Sequence, residues 1–321
     1  MSTTPEHRGY LLLPRLRIQN ANIISSPHTW GFPALTAFTG FIHALQRKLD
    51  AQLEFVGVGV VCHRFEPQVH DLGWNRPGQF ALTRNPVENK RKIDKSGQTT
   101  PMSIVEEGRG HLEVSLLLAV ADLPPPFVVD SLVDDLADQV ACMRLAGGTI
   151  QSLKKPKMHA AGDTDDEHSR VMRTLRRQLL PGFALVGRPD VMRQRLEALR
   201  ENDPAANALD AVLDISALTY KSTEGDNDEI EWAIDTPGGW FVPVPVGYTA
   251  ISPTYAPGEV RNARDQNTPF QFVESLIGIG QWLSPHRIQD LSHMLWYPEH
   301  DAEAGTYLCR NDYSIQGEQH G

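Results

Sequence analysis

The feature that most constrains this chain is a change in apolar spacing, from two to about 3.6 and back, repeated twice before residue 150. Leu16 and Ile18 alternate with Arg15 and Arg17, the pattern of a strand over Tyr10–Ile18 with one buried and one cationic face. Phe38, Phe41, Ile42, Leu45 and Leu49 recur at helical spacing after Thr36, a plausible N-cap. Gly40, inside that pattern, suggests close approach of another backbone. Phe55–Cys62 and His111–Ala121 read as strands, Val133–Leu145 as a helix stopped by Gly147-Gly148, and Thr149–Ile150 as a short strand. The order strand, helix, strand, strand, helix, strand predicts an α+β chain with an RRM-like (ferredoxin-like) head.

Three regions follow. Residues 1–150 form the head, with a polar insertion at 63–110 that holds at most short hairpins. Residues 151–235 are helical, over 166–180, 189–200 and 205–218, and end in an acidic linker, Ser222–Asp235. Residues 236–321 form a strand/helix segment that packs back on the head. There Trp240–Ile251 reads as an edge strand or turn-rich hairpin, because of its prolines. Phe272–Leu283 and Pro285–Trp296 read as apolar helices, and Asn311–Gly321 as a polar tail. Met1–Gly9 is expected to be loose.

Charge is uneven. The net value is −10, yet residues 151–200 hold 11 Lys/Arg against 6 Asp/Glu, and residues 201–260 hold 1 against 11. Salt screens charges beyond about 8–10 Å, so local stripes govern contact with a polyanion. A chain of this balance grips a phosphate backbone best when a partner supplies further positive charge. Arg170, Arg173, Arg176 and Arg177 form one basic helical face, equally readable as a solvated surface.

Catalytic signatures are missing from the pattern. The 12 histidines show no HxxxH or HExxH spacing, and no GxSxG or phosphate loop occurs. Neither a metal nor another cofactor is expected. Cys62, Cys142 and Cys309 are odd in number and far apart, which argues against a disulfide framework and for a reducing, cytoplasmic setting. No apolar run approaches the roughly 20 residues of a membrane span, and no signal peptide is read at the N-terminus.

Signals for RNA are stronger. Arg15 and Arg17 lead into Gln19, Asn20 and Asn22; guanidinium groups clamp phosphates, and amides read the edges of unstacked bases. Trp30 suits stacking on a base, or packing beneath the head. Arg261, Asn262 and Arg264 crowd one short polar stretch that suits successive phosphates or an acidic protein surface.

Leu11–Leu49, beginning LLLPRLRIQNANIISSPHTWGF, resembles the opening of the second Csy subunit of type I-F CRISPR systems. The resemblance continues through VGVVCHRFE (Val58–Glu66), LTRNP (Leu82–Pro86), IVEEGRGHLEVSLLLAV (Ile104–Val120), MRLAGGTI (Met143–Ile150) and RRQLLPGFALV (Arg176–Val186). It closes with SPTYAPGEVRNARDQNTPFQFVESLIGIGQWLSPHRI (Ser252–Ile288), so the blocks run in order along nearly the whole chain. It implies an RRM-like head with a helical, thumb-like region and a non-catalytic role within the surveillance complex (Cascade). The chain would cap the 5′ handle of the CRISPR RNA (crRNA) as a heterodimer with the large Csy subunit. It would abut the first backbone Csy subunit, with target DNA near the head of the complex. The resemblance also aligns Gly147-Gly148 with the glycine-rich loop of CRISPR RNA-binding subunits. Two rivals stay open: a metal-independent crRNA-processing endoribonuclease using His43, His63 or His111 as general base, and a purely protein-bridging scaffold.

Overall fold

In the computed structural model, residues 4–50, 52–70, 79–86, 92–93, 99–100, 104–224, 230–263 and 265–313 are described. Six elements supply the order read from the sequence. They are β1 (Gly9–Asn22), α1 (Leu35–Lys48), β2 (Phe55–Pro67), β3 (Arg109–Val120), α2 (Val129–Ala141) and, after a two-residue strand β4 (Arg144–Leu145), β5 (Gly148–Ser152). Their order across the sheet is β4-β5-β1-β3-β2, and every pairing is antiparallel. A further strand, β6 (Lys157–Ala160), pairs with the first part of β1.

The sheet then continues. After α3 (Asp165–Leu179), β7 (Phe183–Gly187) adds to the free edge of β2. Helices α4 (Pro189–Asn202) and α5 (Ala208–Ser216) follow, then a hairpin of β8 (Tyr220–Glu224) and β9 (Ile230–Ile234). Strands β10 (Phe241–Ala250), β11 (Val273–Leu283), β12 (Leu295–Asp301) and β13 (Thr306–Arg310) complete the path β2-β7-β11-β10-β13-β12. Strand β12 returns to β2 through Leu295↔Gly59 and Trp296↔Val58, so these six strands close on one another. Closure removes exposed strand edges. Where β7 and β12 part along β2, Asn311 fills the gap: its Oδ1 accepts from Gly187 N (2.8 Å), and its Nδ2 donates to Leu295 O (2.9 Å).

Two apolar layers flank the sheet. On one face, Leu11, Leu13, Leu16, Ile18, Leu116 and Leu118 pack with Phe38, Ile42 and Leu45 of α1 and Leu132, Leu136 and Val140 of α2. On the other, Tyr10, Leu12, Val61, Leu117 and Ala119 meet Met172, Leu175 and Leu179 of α3 and Leu291 and Met294. Among the described residues, no helix is long and apolar enough to cross a membrane.

Several expectations change. The N-cap position of α1 is Ala34, not Thr36, and a Cβ at Gly40 would meet nothing within 4 Å, so no backbone approaches there. Helix α2 lies four residues earlier than read at both ends. Ala146 and Gly147, both at positive φ, form a two-residue hairpin turn between β4 and β5 rather than a helix stop. Strand β2 runs on to Pro67 and β3 starts at Arg109, so the insertion is shorter than 63–110. Within it, short antiparallel pairs join 69–70 with 79–80, 83–86 with 104–107, and 92–93 with 99–100. The acidic stretch 222–235 is partly the β8/β9 hairpin, not a linker.

The apolar helices read at Phe272–Leu283 and Pro285–Trp296 are absent. The first is β11, where Gly278 and Gly280 weaken a helix and Gly280 admits Leu185, whose Cδ1 would lie 2.8 Å from an added Cβ. The second is two 3₁₀ turns, Pro285–Arg287 and Leu291–Met294, followed by β12. Strand β10 is internal rather than an edge. Strand β13 pairs only with Gly247–Thr249, so at Pro243 and Pro245 a partner lies on one side alone, where a missing N–H is tolerated. The tail begins buried: Asp312 accepts from the Tyr297 hydroxyl (2.8 Å) and from Thr4 Oγ1 (2.9 Å), which also ties down Thr4 ahead of β1.

Candidate nucleic-acid interface

Helix α3 covers only half of its sheet face. Beyond it the same strands turn polar, because the period-two pattern keeps placing side chains on that face after the helix has ended. Arg17 and Gln19 from β1, His111 and Glu113 from β3, Arg64 and Glu66 from β2, and Gln151 from β5 line an open recess of about 330 Å³.

Two irregularities in β1 shape this surface. Arg15 and Asn20 both have positive φ (57° and 59°), at the register shifts between Leu13 and Leu16 and between Ile18 and Ala21. Such backbone costs about 1–3 kcal/mol for a residue other than glycine, less for Asn than for Arg. Each displaced amide finds a side chain of β3: Arg15 N donates to Ser115 Oγ (3.0 Å), and Asn20 N to His111 Nδ1 (3.3 Å).

The boundary between covered and open halves is a hydrogen-bonded relay. The Ser115 hydroxyl, having accepted from Arg15 N, donates to His63 Nε2 (2.7 Å), and His63 Nδ1–H donates to Pro181 O (2.6 Å) just past α3. That assignment needs a neutral ring. Burial pushes the His63 pKa below its ordinary value; Arg15 and Lys154 push the same way, while Pro181 O and Glu113 partly oppose them. The Arg15 guanidinium joins the same boundary, donating to Glu113 Oε1 (3.1 Å), Leu180 O (3.2 Å) and Pro181 O (3.3 Å).

On the open half, cations and carboxylates are interleaved. Arg17 Nε lies 3.5 Å from Glu113 Oε2, Arg64 pairs with Glu66, and Arg109 pairs with Glu107. Amides fill the spaces. Gln151 Nε2 donates to Gln19 Oε1 (2.8 Å), Gln68 Nε2 to Asn20 Oδ1 (2.7 Å), and Arg109 Nη1 to Asn20 O (3.2 Å). The surface is therefore rich in oriented donors and acceptors without an excess of positive charge.

The residues singled out in the sequence divide accordingly. Arg17, Gln19 and Asn20 share the open half, and Arg15 sits at its boundary. Asn22 lines a separate recess with Ser25, Thr36, Gly147, Tyr248 and Tyr307, and its Oδ1 accepts from Ile24 N (3.1 Å). Trp30 is 57% exposed on the small hairpin of Ile24–Ser26 and Thr29–Trp30, so it does not pack beneath the head; Phe32 does, stacked on Phe38 at 5.6 Å. Arg261 and Asn262 are exposed in the loop between β10 and β11, whose base is the Tyr255↔Phe270 bridge. No hydrogen bond or ion pair among the described residues joins them to β1. Arg264 lies outside the described residues.

Arg64, Gln68, Arg109 and Gln151 were not anticipated as site residues. The signal lay in the alternation of His63-Arg64-Phe65-Glu66, which extends β2 past Cys62. Of the histidines, His43 is on α1 against the other face, His63 has both ring nitrogens engaged, and His111 accepts from Asn20. No three His, Cys, Asp or Glu side chains among the described residues converge to hold a metal ion.

Fold and site together define an α/β protein built on one large antiparallel sheet with an open polar half-face. Residues 11–309 match the family of CRISPR-associated proteins described as Cas_Csy2, and the chain belongs to that family. It is similar to the CRISPR-associated protein Csy2 of Pseudomonas aeruginosa (strain UCBPP-PA14), with 46% identity covering 95% of each chain. Membership makes it a subunit of the type I-F Csy complex, the Cascade of that system.

Proposed function

We propose that this subunit is a non-catalytic RNA-binding protein that caps the crRNA 5′ handle, paired with the large Csy subunit and abutting the first backbone subunit. The observation that carries the reading is the uncovered half of the sheet face, where Arg17, Gln19, Asn20, Arg64, His111 and Gln151 converge. The order β5-β1-β3-β2, with two helices behind it, supports an RRM-like head, an architecture whose free sheet face takes single-stranded RNA. Interleaved charge suits a surface that reads bases by amide hydrogen bonds while a partner neutralises much of the phosphate. Trp30 supplies an exposed ring for stacking, and Arg261 an exposed guanidinium. In an RNA-guided complex, pairing reads the target and the protein holds the guide by shape and backbone, so a fixed handle sets where pairing with target DNA begins.

The test is site-specific photo-crosslinking from handle nucleotides in the assembled complex. Crosslinks to peptides containing Arg17–Asn20, His111 or Gln151 are expected. Handle crosslinks confined to other subunits would refute the capping role and leave the scaffold reading. The ribonuclease rival predicts discrete cleavage of repeat RNA in EDTA by the isolated chain; intact RNA is expected, since His63 is engaged on both nitrogens.

A further inference from the structure

Away from the sheet face, the β8/β9 hairpin carries an apolar surface that nothing in the described chain covers. Its register pairs Tyr220 with Ile234, Ser222 with Trp232 and Glu224 with Ile230. Ile230, Trp232 and Ile234 are two residues apart and share one face, with Tyr220 beside them. Their exposures are 65%, 68%, 58% and 55% in the order Ile230, Trp232, Ile234, Tyr220. Just before the hairpin, α5 presents Leu209 and Leu213, four residues apart on its outer side, and Leu218 follows; all three are more than half exposed. Chains that act alone rarely display apolar side chains in such a group.

The lobe is firmly held, so its exposure is not a matter of looseness. The inner side of α5, Val212 and Ile215, packs with Val191 and Ile279. Arg195 of α4 pairs with Asp214 of α5 and with Asp235 at the hairpin base (3.2 Å), and Lys221 also reaches Asp235. Thr236 Oγ1 accepts from Thr219 N (3.1 Å) and donates to Ala217 O (2.9 Å).

Charge selects the occupant. Residues 203–235 contain nine Asp/Glu and a single cation, Lys221. That field repels nucleic acid, and a second copy of the chain would set nine acids against nine. We propose that Tyr220, Ile230, Trp232 and Ile234, continued by Leu209 and Leu213, form a docking face for another protein subunit of the same Csy assembly, one offering an apolar groove edged by Lys and Arg. The proposal rests on the Csy-complex membership of the chain and is independent of handle capping by the sheet face.

The full chain carrying Trp232→Glu and Ile234→Glu, and separately Trp232→Ala, is co-expressed with the other subunits and guide RNA and sized beside wild type. Melting of both variants is expected to match wild type, because these side chains are mostly in water. Affinity for one protein subunit is expected to fall at least about tenfold for the double variant, as for loss of a central aromatic anchor. Hydrogen exchange on the wild-type protein supplies a second readout: residues 216–236 should be protected in the assembly and not in the isolated chain. Assembly of the double variant at wild-type affinity would overturn the proposal. So would unchanged exchange of 216–236, or a wild-type homodimer that the substitutions abolish. Handle RNA binding is measured in parallel and reports on the sheet face, so a failure of capping is read separately from a failure of docking.

Discussion

The two halves of one sheet face, six residues apart along the same strands, behave as different materials. Under α3, Tyr10, Leu12, Leu117 and Ala119 are fully buried and touch Met172, Leu175 and Leu179. Past Ser115 and Arg15, the same alternation delivers Glu113, Arg17, His111 and Gln19 to water. The strands run on through the boundary with local register shifts, at Leu13/Leu16 in β1 and at Glu113/Val114 in the β3–β2 pairing. The difference lies in whether a helix is overhead, so a strand's chemistry at a site follows from where its cover stops.

The largest expected effect breaks the covered half. Leu175→Ala removes a fully buried side chain and should cost about 2–5 kcal/mol in urea unfolding, while the protein that stays folded keeps its handle affinity. Equal losses in both measurements would mean that the halves are not separable. The reverse pattern is expected for Gln19→Ala with Gln151→Ala, which break an exposed amide pair: stability within about 0.5 kcal/mol of wild type, and handle RNA bound roughly tenfold more weakly by filter binding.

The boundary should respond to pH. Burial lowers the pKa of the folded His63 ring, so as pH falls through the ordinary imidazole value of about 6.5 the unfolded chain takes up the proton first. Stability from this residue is full above that value and is lost as pH falls through it, levelling once the folded ring also protonates. His43 and His159 are shifted in the same direction, so the measurement is the difference between wild type and His63→Gln in urea midpoint from pH 8 to pH 5. A flatter profile for His63→Gln is expected; parallel profiles would remove the ring from the boundary. The smallest effect concerns whether the open half works with the 252–272 loop. Arg261→Ala should reduce the log–log salt slope of RNA binding by about 0.7, and an unchanged slope would show that Arg261 touches no phosphate.

Much of this was legible from local pattern. Period-two alternation found β1 and β3, a Val/Gly-rich run found β2, and helical spacing found α1 and the basic face of α3, where Arg170, Arg173 and Arg177 are exposed while Arg176 turns inward to Gln289 O. The pattern failed where neighbours distant in sequence overrode it. Ile288, Leu291, Met294 and Leu295 have helical spacing, yet they cap the second sheet face from two 3₁₀ turns and a strand. Asn311 and Asp312 look like the start of a polar tail, but each fills a buried gap with matched hydrogen bonds. The site was half legible. Arg17, Gln19 and Asn20 stand out on one strand, but their neighbours Arg64, His111 and Gln151 arrive from strands far along the chain.

The order of the elements up to residue 152, the apolar side of each and the kinship with Csy2 were determined by sequence alone, since all are carried by residues close together or by whole blocks in register. Tertiary structure decided that five further strands close into a ring with β2, and that Arg15 belongs to a boundary rather than an open surface. Periodicity specifies which face of a strand is apolar. Only long-range packing determines how far along that face water is excluded.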